Sequence, residues 1–510
     1  MTPINQVVLP LNLGYKIPED DPVILLSEIC DKLDYTRICN KYLKTWRIHS
    51  PKVIFKILAY AYMRKIFSLR EIEAACRRDI CFMWLLNYEP VPDHTTIDRF
   101  IDEKLADEME DLFYQLIEEL HKLGELKFEH LFIDGTKIEA YANRYTFVWA
   151  KSVKKNAEKL YQKINMFMDM LADRYCVQYD TAEECFDFLA ERIKDIVCVF
   201  GKGKRKTQLQ RDYEQMQEYM QRKDKYAEYF KILGTRKSFS KTDTDATFMR
   251  MKDDHMRNGQ LKPGYNVQIG VEGEYIVGAG LFPNPTDVGT FIPFLERVKS
   301  GIGKIIRKVI ADAGYESEEN YTYLEENGQT TYIKPQNYEI SKTRKYQKDG
   351  FRVENMEYDE LSDSYICKDG RRLEFKYTQK TTSSNGYVLE KSVYQNESCG
   401  GCPYRDRCHK SKNDHRTIRV SKRFSKQREI SRENILTDEG IMLRMNRSIQ
   451  VEGAFGVIKE DYSFRRFLMR GKRKAETQFF LLSFAYDVQK YFNKLSSGRT
   501  GTDLFKMNME

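Results

Sequence analysis

The sequence predicts a mixed α/β fold: an open sheet of mixed strand direction with helices on its faces, preceded by an all-α region. Three observations carry this. Residues 1 to about 125 repeat apolar side chains at helical spacing, residues 241–335 alternate strands with helices, and two short apolar strands each carry an aspartate, Asp134 and Asp312.

In chain order, Asp21 followed by Pro22 predicts an N-cap and first helical residue. Ser68 and Glu71 have the spacing of a capping box. Pro92–Ile101 predicts a second helix start, and the pair has the form of a helix-turn-helix that reads DNA or braces a dimer. Leu131–Ala140 predicts a buried strand whose carboxylate needs a hydrogen-bonding partner or a metal, with Lys137 and Arg144 bringing positive charge nearby. From Trp149 to Gly234, Leu160, Ile164, Phe167 and Leu171, then Tyr213, Met216 and Met220, form an apolar stripe that predicts a self-packed helical hairpin inserted into the sheet. Tyr265–Val271 and Tyr275–Phe282 predict a hairpin around Glu272-Gly273-Glu274, followed by a helix capped by Thr286. Ile305–Asp312 predicts a strand with Asp312 at its carboxyl end, where ligands bind in open α/β sheets, and Ser317 caps the next helix. Residues 336–435 show little periodicity.

At 510 residues the chain has room for two to four units at about 150 residues each. A hydrophobic share of 41% and a charged share of 31% exclude a disordered chain, and no apolar run of about 18 residues predicts a membrane span. The first residues lack the basic-then-apolar pattern of a leader, so the expected location is the cytoplasm, in association with the nucleoid. Net charge is +8, and its placement matters more than its sum. Between Pro403 and Glu433 eleven Lys and Arg stand against four Asp and Glu, and Arg465, Arg466, Arg470, Lys472, Arg473 and Lys474 form a second island. Such islands are the footprint of nucleic-acid binding, with a solvated surface face as the bland reading.

Seven of the eleven cysteines are scattered; Cys367, Cys399, Cys402 and Cys408 are not. A two-residue knuckle with a third Cys six positions on and a fourth upstream can supply four thiolates to a structural Zn²⁺, with His409 able to replace one. In Arg444–Lys459, Val451, Ala454, Phe455 and Ile458 share a buried helical face. Glu452 and Lys459 share another, leaving Lys459 and Arg447 to meet phosphates.

Asp134, Asp312 and Glu452 are therefore three carboxylates that one sheet can bring together. Oxygen-only ligands suit Mg²⁺ or Mn²⁺. Two such ions about 4 Å apart serve phosphoryl transfer, and with the basic islands this points to a phosphodiester. Asp243, Asp245, Asp253, Asp254 and His255 are rival or supporting groups.

On Phe132–Ala140, Asn143–Trp149, Val309–Tyr315 and Val451–Lys459, the sequence resembles the DDE transposases of bacterial insertion sequences. The resemblance implies a ribonuclease H-like core of residues 126–148, 241–335 and 436–495. It also implies a helical DNA-binding or dimerisation domain (1–125), a helical insertion (149–240) and a basic Cys-bearing insertion (336–435). Asp134, Asp312 and Glu452 would hold two ions, and Arg447, Lys459, Arg465, Arg466, Arg470, Lys472 and Arg473 would contact DNA. Water would cut double-stranded DNA at the element's ends, and the freed 3′-hydroxyls would attack target DNA within a homodimer. Related elements carry Tyr-x2-Arg-x3-Glu-x6-Lys; here the Glu452–Lys459 spacing holds, but position 444 is Arg and four residues separate Arg447 from Glu452. A sequence-specific DNA-binding regulator, or a nuclease of the same fold that only hydrolyses, are the alternatives.

Overall fold

The computed structural model describes residues 16–42, 49–201, 205–251, 259–383, 385–409 and 413–502; Asp253, Asp254 and His255 lie outside them. The principal sheet is built on β1 (His130–Glu139). A separate two-stranded ribbon pairs β2 (Phe147–Trp149) with β3 (Ser238–Ser240). The principal sheet continues with β4 (Thr247–Arg250), β5 (Leu261–Glu272), β6 (Tyr275–Phe282), β7 (Lys308–Ala311) and β8 (Thr330–Ile333).

β1 runs antiparallel to β5 from Phe132↔Val271 to Glu139↔Gly264. On its other edge it runs parallel to β7, from His130↔Lys308 to Phe132↔Ile310. β6 and β4 share the far edge of β5, and β8 extends the sheet parallel to β7. The parallel half needs a crossover, supplied by the helix Glu318–Glu326 between β7 and β8; Ser317 caps it by accepting from the Asn320 amide at 3.1 Å. The β5–β6 turn has φ +59° at Gly273 and +74° at Glu274, the double positive φ of a tight hairpin. A Cβ on Gly273 would stand 3.0 Å from the Glu125 carbonyl oxygen, so glycine answers a close approach as well as a turn.

The N-terminal region is helical, as the periodicity predicts. Asp21 caps the helix Pro22–Lys32 by accepting from the Val23 amide, and Asp93 caps His94–Phe100 by accepting from Thr96. Two expectations change. Ser68 occupies the N-cap of Leu69–Arg78 but makes no side-chain cap bond, so the capping box is present in sequence only. A further helix, Ile80–Leu86, stands between Leu69–Arg78 and His94–Phe100, so these two are not joined by one short turn as in a helix-turn-helix. They are tied directly instead: Glu73 accepts from the His94 backbone amide at 3.0 Å and lies 2.8 Å from its Nδ1. Arg77 and then His94 hold the Glu73 carboxyl down to about 2.

One hydrophobic core runs through the N-terminal helices and the principal sheet. The long helix Lys472–Ser496 joins them, packing on both Pro51–Met63 and β6; Phe55 and Phe484 meet edge to face at 5.2 Å. Two other parts keep cores of their own. Leu160, Ile164, Leu171, Cys185, Leu189 and Met216 pack together within residues 150–233. The predicted stripe is there, but it joins three helices, Ala150–Tyr175, Ala182–Arg192 and Gln208–Leu233, where a hairpin was expected.

Residues 336–435, unperiodic in sequence, hold a five-stranded antiparallel sheet. Its strands are β9 (Glu357–Asp359), β10 (Ser364–Ile366), β11 (Arg372–Thr382), β12 (Val388–Gln395) and β13 (Thr417–Val420). Most of β11 is exposed, which removes the alternation that marks a half-buried strand. No helix among the described residues is long and apolar enough to cross a membrane.

Candidate active site

Asp134 lies in the middle of β1, after the fully buried Phe132 and Ile133. The β1–β7 register offers the first geometric result. The pairs end at Phe132↔Ile310; two positions further along stand Asp134 on β1 and Asp312, the residue that follows β7, so a continued register would set them side by side. Neighbours in register share a face, so the pairing that buries the apolar residues also sets the two carboxylates together. Asp312 leaves the strand into a short turn and accepts from the Gly314 amide at 2.8 Å.

The positive charge at Asp134 is not the one expected. Alternation puts Lys137 on the opposite face of β1, and Arg144 pairs with Glu139 at 3.3 Å. Arg447 takes that place, with Nη1 3.8 Å from Asp134 Oδ2. That nitrogen is buried and, among the described residues, has no hydrogen-bond partner, so a buried donor faces the carboxylate without satisfying itself there.

Arg447 ends the helix Asp438–Arg447, which continues into a π-helical turn, Ser448–Glu452. Val451, Ala454, Phe455 and Ile458 are buried as predicted, and the π turn packs against β1 and β5. In an α-helix residues five apart lie about 140° around the axis at 3.6 residues per turn. A π turn links residues five apart through the backbone, and such turns recur at functional sites. Glu452 thus lies one π turn beyond Arg447 on the same flank, with its side chain exposed. Lys459 differs from expectation: it belongs to a second π turn, Val457–Asp461, and is only 9% exposed, not a surface lysine.

A third aspartate joins the two on the strands. Asp287 precedes a short 3-10 turn, Val288–Thr290, that leads into the helix Phe291–Ile302; Thr286 does not cap it. Asp287 Oδ1 accepts from Asn266 Nδ2 at 2.8 Å and from Gln268 Nε2 at 3.1 Å. Gln268 is oriented in turn by the Tyr315 hydroxyl, which donates to its Oε1. Gln268 pairs with Gly135 across the β1–β5 ladder, and a Cβ on Gly135 would stand 2.9 Å from Asp287 Oδ1. On the other side, a Cβ on Gly314 would stand 3.0 Å from Asp312 Oδ1 and 3.6 Å from Asp287 Oδ2. The two glycines leave the space that these carboxylates face.

Tyr315 lies fully buried beneath them. Burial drives its hydroxyl well above the usual tyrosine range, and the charges of Asp287, Asp134 and Asp312 push it further while Arg447 opposes them. Sequence reasoning missed Asp287 because Pro285–Lys299 has helical periodicity, which makes Asp287 one more polar residue in a first turn.

Of the rival acids, the two described ones are engaged by neighbouring backbone and side chains. Asp243 is buried, accepts from the Tyr265 hydroxyl at 3.0 Å and from the Gly471 amide at 3.3 Å, and burial raises its carboxyl pKa. Asp245 accepts from the Lys472 amide at 2.9 Å.

The island at 465–474 is less open than its sequence suggests. Arg465 pairs with Glu460, Lys472 with Glu476, Arg473 with Asp102 and Asp107, and Lys474 with Asp102. Arg466 donates to the carbonyls of Ala140 and Ala142, and its guanidinium lies 5.5 Å from the Tyr141 ring; that of Arg470 lies 5.7 Å from it. Tyr141, Arg470 and Lys474, with Arg70 and His94 of the N-terminal region, line a cleft of about 580 Å³.

The cysteines do not gather as the zinc expectation requires. Among the described residues, no group of three or more His, Cys, Asp or Glu is disposed to hold a metal ion. Cys399 Sγ is engaged by Asn396 at 3.2 Å, and Cys408 Sγ accepts from Arg416 Nη1 at 2.9 Å. Burial raises the Cys408 thiol, with smaller contributions from Cys399 and Cys367, so these three lie near one another; both ring nitrogens of His409 are buried without a partner.

Residues 366–492 match the family model described as a transposase DDE domain, and residues 11–103 match the one described as a transposase domain, DUF772. The first covers the cysteines, Arg447, Glu452 and Lys459; Asp134 and Asp312 fall outside both. No curated protein and no solved structure matches the chain.

Proposed function

Because the chain belongs to the DDE transposases of insertion sequences, we propose that it cuts double-stranded DNA at the ends of such an element. It then joins the freed 3′-hydroxyls to target DNA by metal-assisted phosphoryl transfer. The observation that supports this is the parallel register of β1 and β7, which, continued two residues past Phe132↔Ile310, would bring Asp134 beside Asp312 at the carboxyl end of a strand.

Asp134, Asp312 and Glu452 would hold Mg²⁺ or Mn²⁺, and the residues fit such ions. In kind the donors suit, being all oxygens, and Gly314 leaves room beside Asp312; Glu452 is exposed, and among the described residues no three such groups yet gather, so the centre would assemble on binding. When bound, the ions supply an activated water or hydroxyl and stabilise the leaving oxygen. Arg447 would steady Asp134 and meet a phosphate, and the π turn would bring Glu452 in from the same flank. Arg466 and Arg470, spread on Tyr141 beside the cleft, are the best supported DNA contacts. Arg465, Lys472 and Arg473 would exchange their acidic partners for phosphates, and Lys459 would have to leave its buried position to do so.

Strand order β6-β5-β1-β7-β8, antiparallel then parallel, supports a ribonuclease H-like core formed by residues 126–148, 241–335 and 436–495. The separate cores of the helical and Cys-bearing segments support reading 149–240 and 336–435 as insertions. Residues 1–125 would serve DNA binding or dimerisation while sharing their core with the sheet. A structural Zn²⁺ at Cys367, Cys399, Cys402 and Cys408 has narrower support, in the nearness of three of the thiols and the unpartnered His409; elemental analysis of purified protein decides it.

The test is a plasmid carrying the element's ends, incubated with protein and Mg²⁺. Cut ends and 3′-joined products are expected from the wild type, and from Asp134→Asn neither, with DNA affinity kept. Equal cutting by both proteins overturns the mechanism, DNA binding without cutting by either supports a regulator, and cut ends never joined to a second DNA support a hydrolytic nuclease.

A further inference from the structure

We propose that the basic segment of residues 334–348, together with Arg444, forms a seat for the phosphodiester backbone of DNA beside the candidate site. This rests on the preceding reading that the chain acts on double-stranded DNA, and it assigns a contact surface that neither basic island of the sequence includes.

The segment leaves the sheet at the right edge. β7 and β8 run parallel, with Ala311↔Ile333 as their last pair, and the Lys334 amide donates to the Ala311 carbonyl at 3.3 Å. Lys334 therefore follows β8 as Asp312 follows β7. The segment starts at the carboxyl ends of two parallel strands, where open α/β sheets take their ligands.

Three cations then gather on one ring. Tyr338 is buried, and Lys342 Nζ, the Arg444 guanidinium and Lys334 Nζ stand 3.8, 5.4 and 5.6 Å from its ring centroid. One acid serves the two lysines: Glu339 lies 2.7 Å from Lys334 and 3.4 Å from Lys342. Arg444 has no ion-pair partner among the described residues, and its buried Nε has no hydrogen-bond partner among them. Burial acts to raise the Tyr338 hydroxyl, yet Lys342 and Arg444 hold it below the usual tyrosine range, which marks a local excess of positive charge. A buried donor left unsatisfied is costly, and a phosphate oxygen is the charged acceptor a guanidinium takes best.

The cluster also adjoins the acids. Arg444 lies three residues before Arg447 on the helix Asp438–Arg447, so the two share a face, and Arg447 is the cation at Asp134. Beyond Tyr338 the segment turns outward. Arg344, Lys345 and Lys348 are exposed and have no ion-pair partner among the described residues, while the nearby Asp349 takes Arg352. In the 465–474 island, by contrast, Arg465, Lys472, Arg473 and Lys474 already hold acids. A polyanion meets the open cations of the segment without first displacing a carboxylate.

The experiment is fluorescence anisotropy of the full chain on labelled duplexes at several salt concentrations, in EDTA so that DNA is bound without being cut. One arm uses a duplex of the element's end. The other offers an unrelated duplex to protein saturated with unlabelled ends, which reports target DNA. The triple variant Arg344→Ala, Lys345→Ala, Lys348→Ala should lower the slope of log affinity against log salt by about two to three, and Arg444→Gln by about one. The control triple Lys155→Ala, Lys159→Ala, Lys163→Ala removes three exposed charges from the helical insertion and should leave the slope at its wild-type value. A loss in the first arm places the element's end on the seat, and a loss confined to the second places target DNA there; either supports it. Wild-type slopes for the first triple in both arms, or an equal loss from the control triple, overturn it. Arg444→Gln with a wild-type slope removes Arg444 from the seat. If the wild type binds neither duplex, the reading that the chain acts on DNA falls instead.

Discussion

The end of β7 and the loop between β12 and β13 both carry side chains able to hold a metal, and they present them in opposite ways. At β7, Asp312 follows a strand locked between β1 and β8, and its neighbour Asp134 is set by the register that buries Phe132 and Ile310. There Asp312 Oδ1 and Asp287 Oδ2 both lie near Gly314, and among the described residues no group of three or more His, Cys, Asp or Glu is disposed to hold a metal ion, here as at the cysteines. Beside the second sheet, Cys399 and Cys402 lie outside the strands and Cys408 ends the short helix Arg405–Cys408, and two of their sulfurs are engaged by Asn396 and Arg416. Spacing in sequence suggested four thiolates around one ion; pairing of the strands brings three near one another and aims none of them at a common point. A motif becomes a site when backbone pairing aims it.

The sharpest way to break this contrast is to remove charge at the first region. Asp134→Asn or Asp312→Asn should lower strand cleavage by more than about 100-fold, since even an outer partner of a metal ligand is worth 10- to 100-fold. Single-turnover cleavage on labelled element ends measures it, and retention of more than a tenth of wild-type rate would show that the register does not define the reactive centre.

Next in size is the packing that sets the register. Phe132→Ala should cost about 3–5 kcal/mol in denaturant unfolding, and Leu373→Ala in the second sheet about 2–5 kcal/mol. Because the second sheet has its own small core, Leu373→Ala should shift one early transition while the main transition stays in place. A single shared shift would mean that the two sheets unfold as one.

DNA contact offers a smaller effect. Arg470→Ala should reduce the slope of log affinity against log salt by about one, as expected for one lost phosphate contact. Arg473→Ala, whose guanidinium is already paired with Asp102 and Asp107, should change that slope less. Fluorescence anisotropy at several salt concentrations separates the two.

The smallest effect concerns a buried carboxyl far from either region. Asp487 accepts from the Ile276 amide at 2.8 Å but leaves Oδ2 unpartnered, and burial drives its pKa well above the usual carboxylate range. A folded pKa above the unfolded one means that ionisation destabilises the fold, fully above the folded pKa and not at all below the unfolded one. Asp487→Asn should therefore raise the melting temperature by about 1–2 °C at high pH, with the gain vanishing on acidification. Thermal melts across that range should show a gain that grows with pH; a gain independent of pH would point to packing instead.

Local patterns were legible where local chemistry decides. The caps at Asp21 and Ser317, the helix start after Pro92, the Gly273 hairpin, the helical stripe of residues 160–171 and the buried face of Val451–Ile458 are all as the residues predict, because hydrogen-bond reach and apolar periodicity act within a few residues. Asp134 and Asp312 stood out for the same reason, as carboxylates on otherwise apolar strands. Exposed strands such as β11 stayed hidden, since a strand wet on both faces has no alternation to read.

What the sequence determined by itself was therefore the kinds and order of elements in the helical N-terminal region and the principal sheet, and that Asp134 and Asp312 lie on or at the end of its strands. Tertiary structure decided which of them meet. Only the β1–β7 pairing brings the strand segments that carry Asp134 and Asp312 side by side across 178 positions in the chain. The π turn, not an α-helical wheel, decides that Glu452 follows Arg447 on one flank, and it is packing against β1 and β5 that selects such a turn over the local preference. Asp287 enters through Asn266 and Gln268, two amides on a different strand that no spacing around Asp287 discloses. The physical reason is common to all three: propensity and periodicity act along the chain, whereas a carboxylate site is made by charges that the folded backbone holds together against their mutual repulsion.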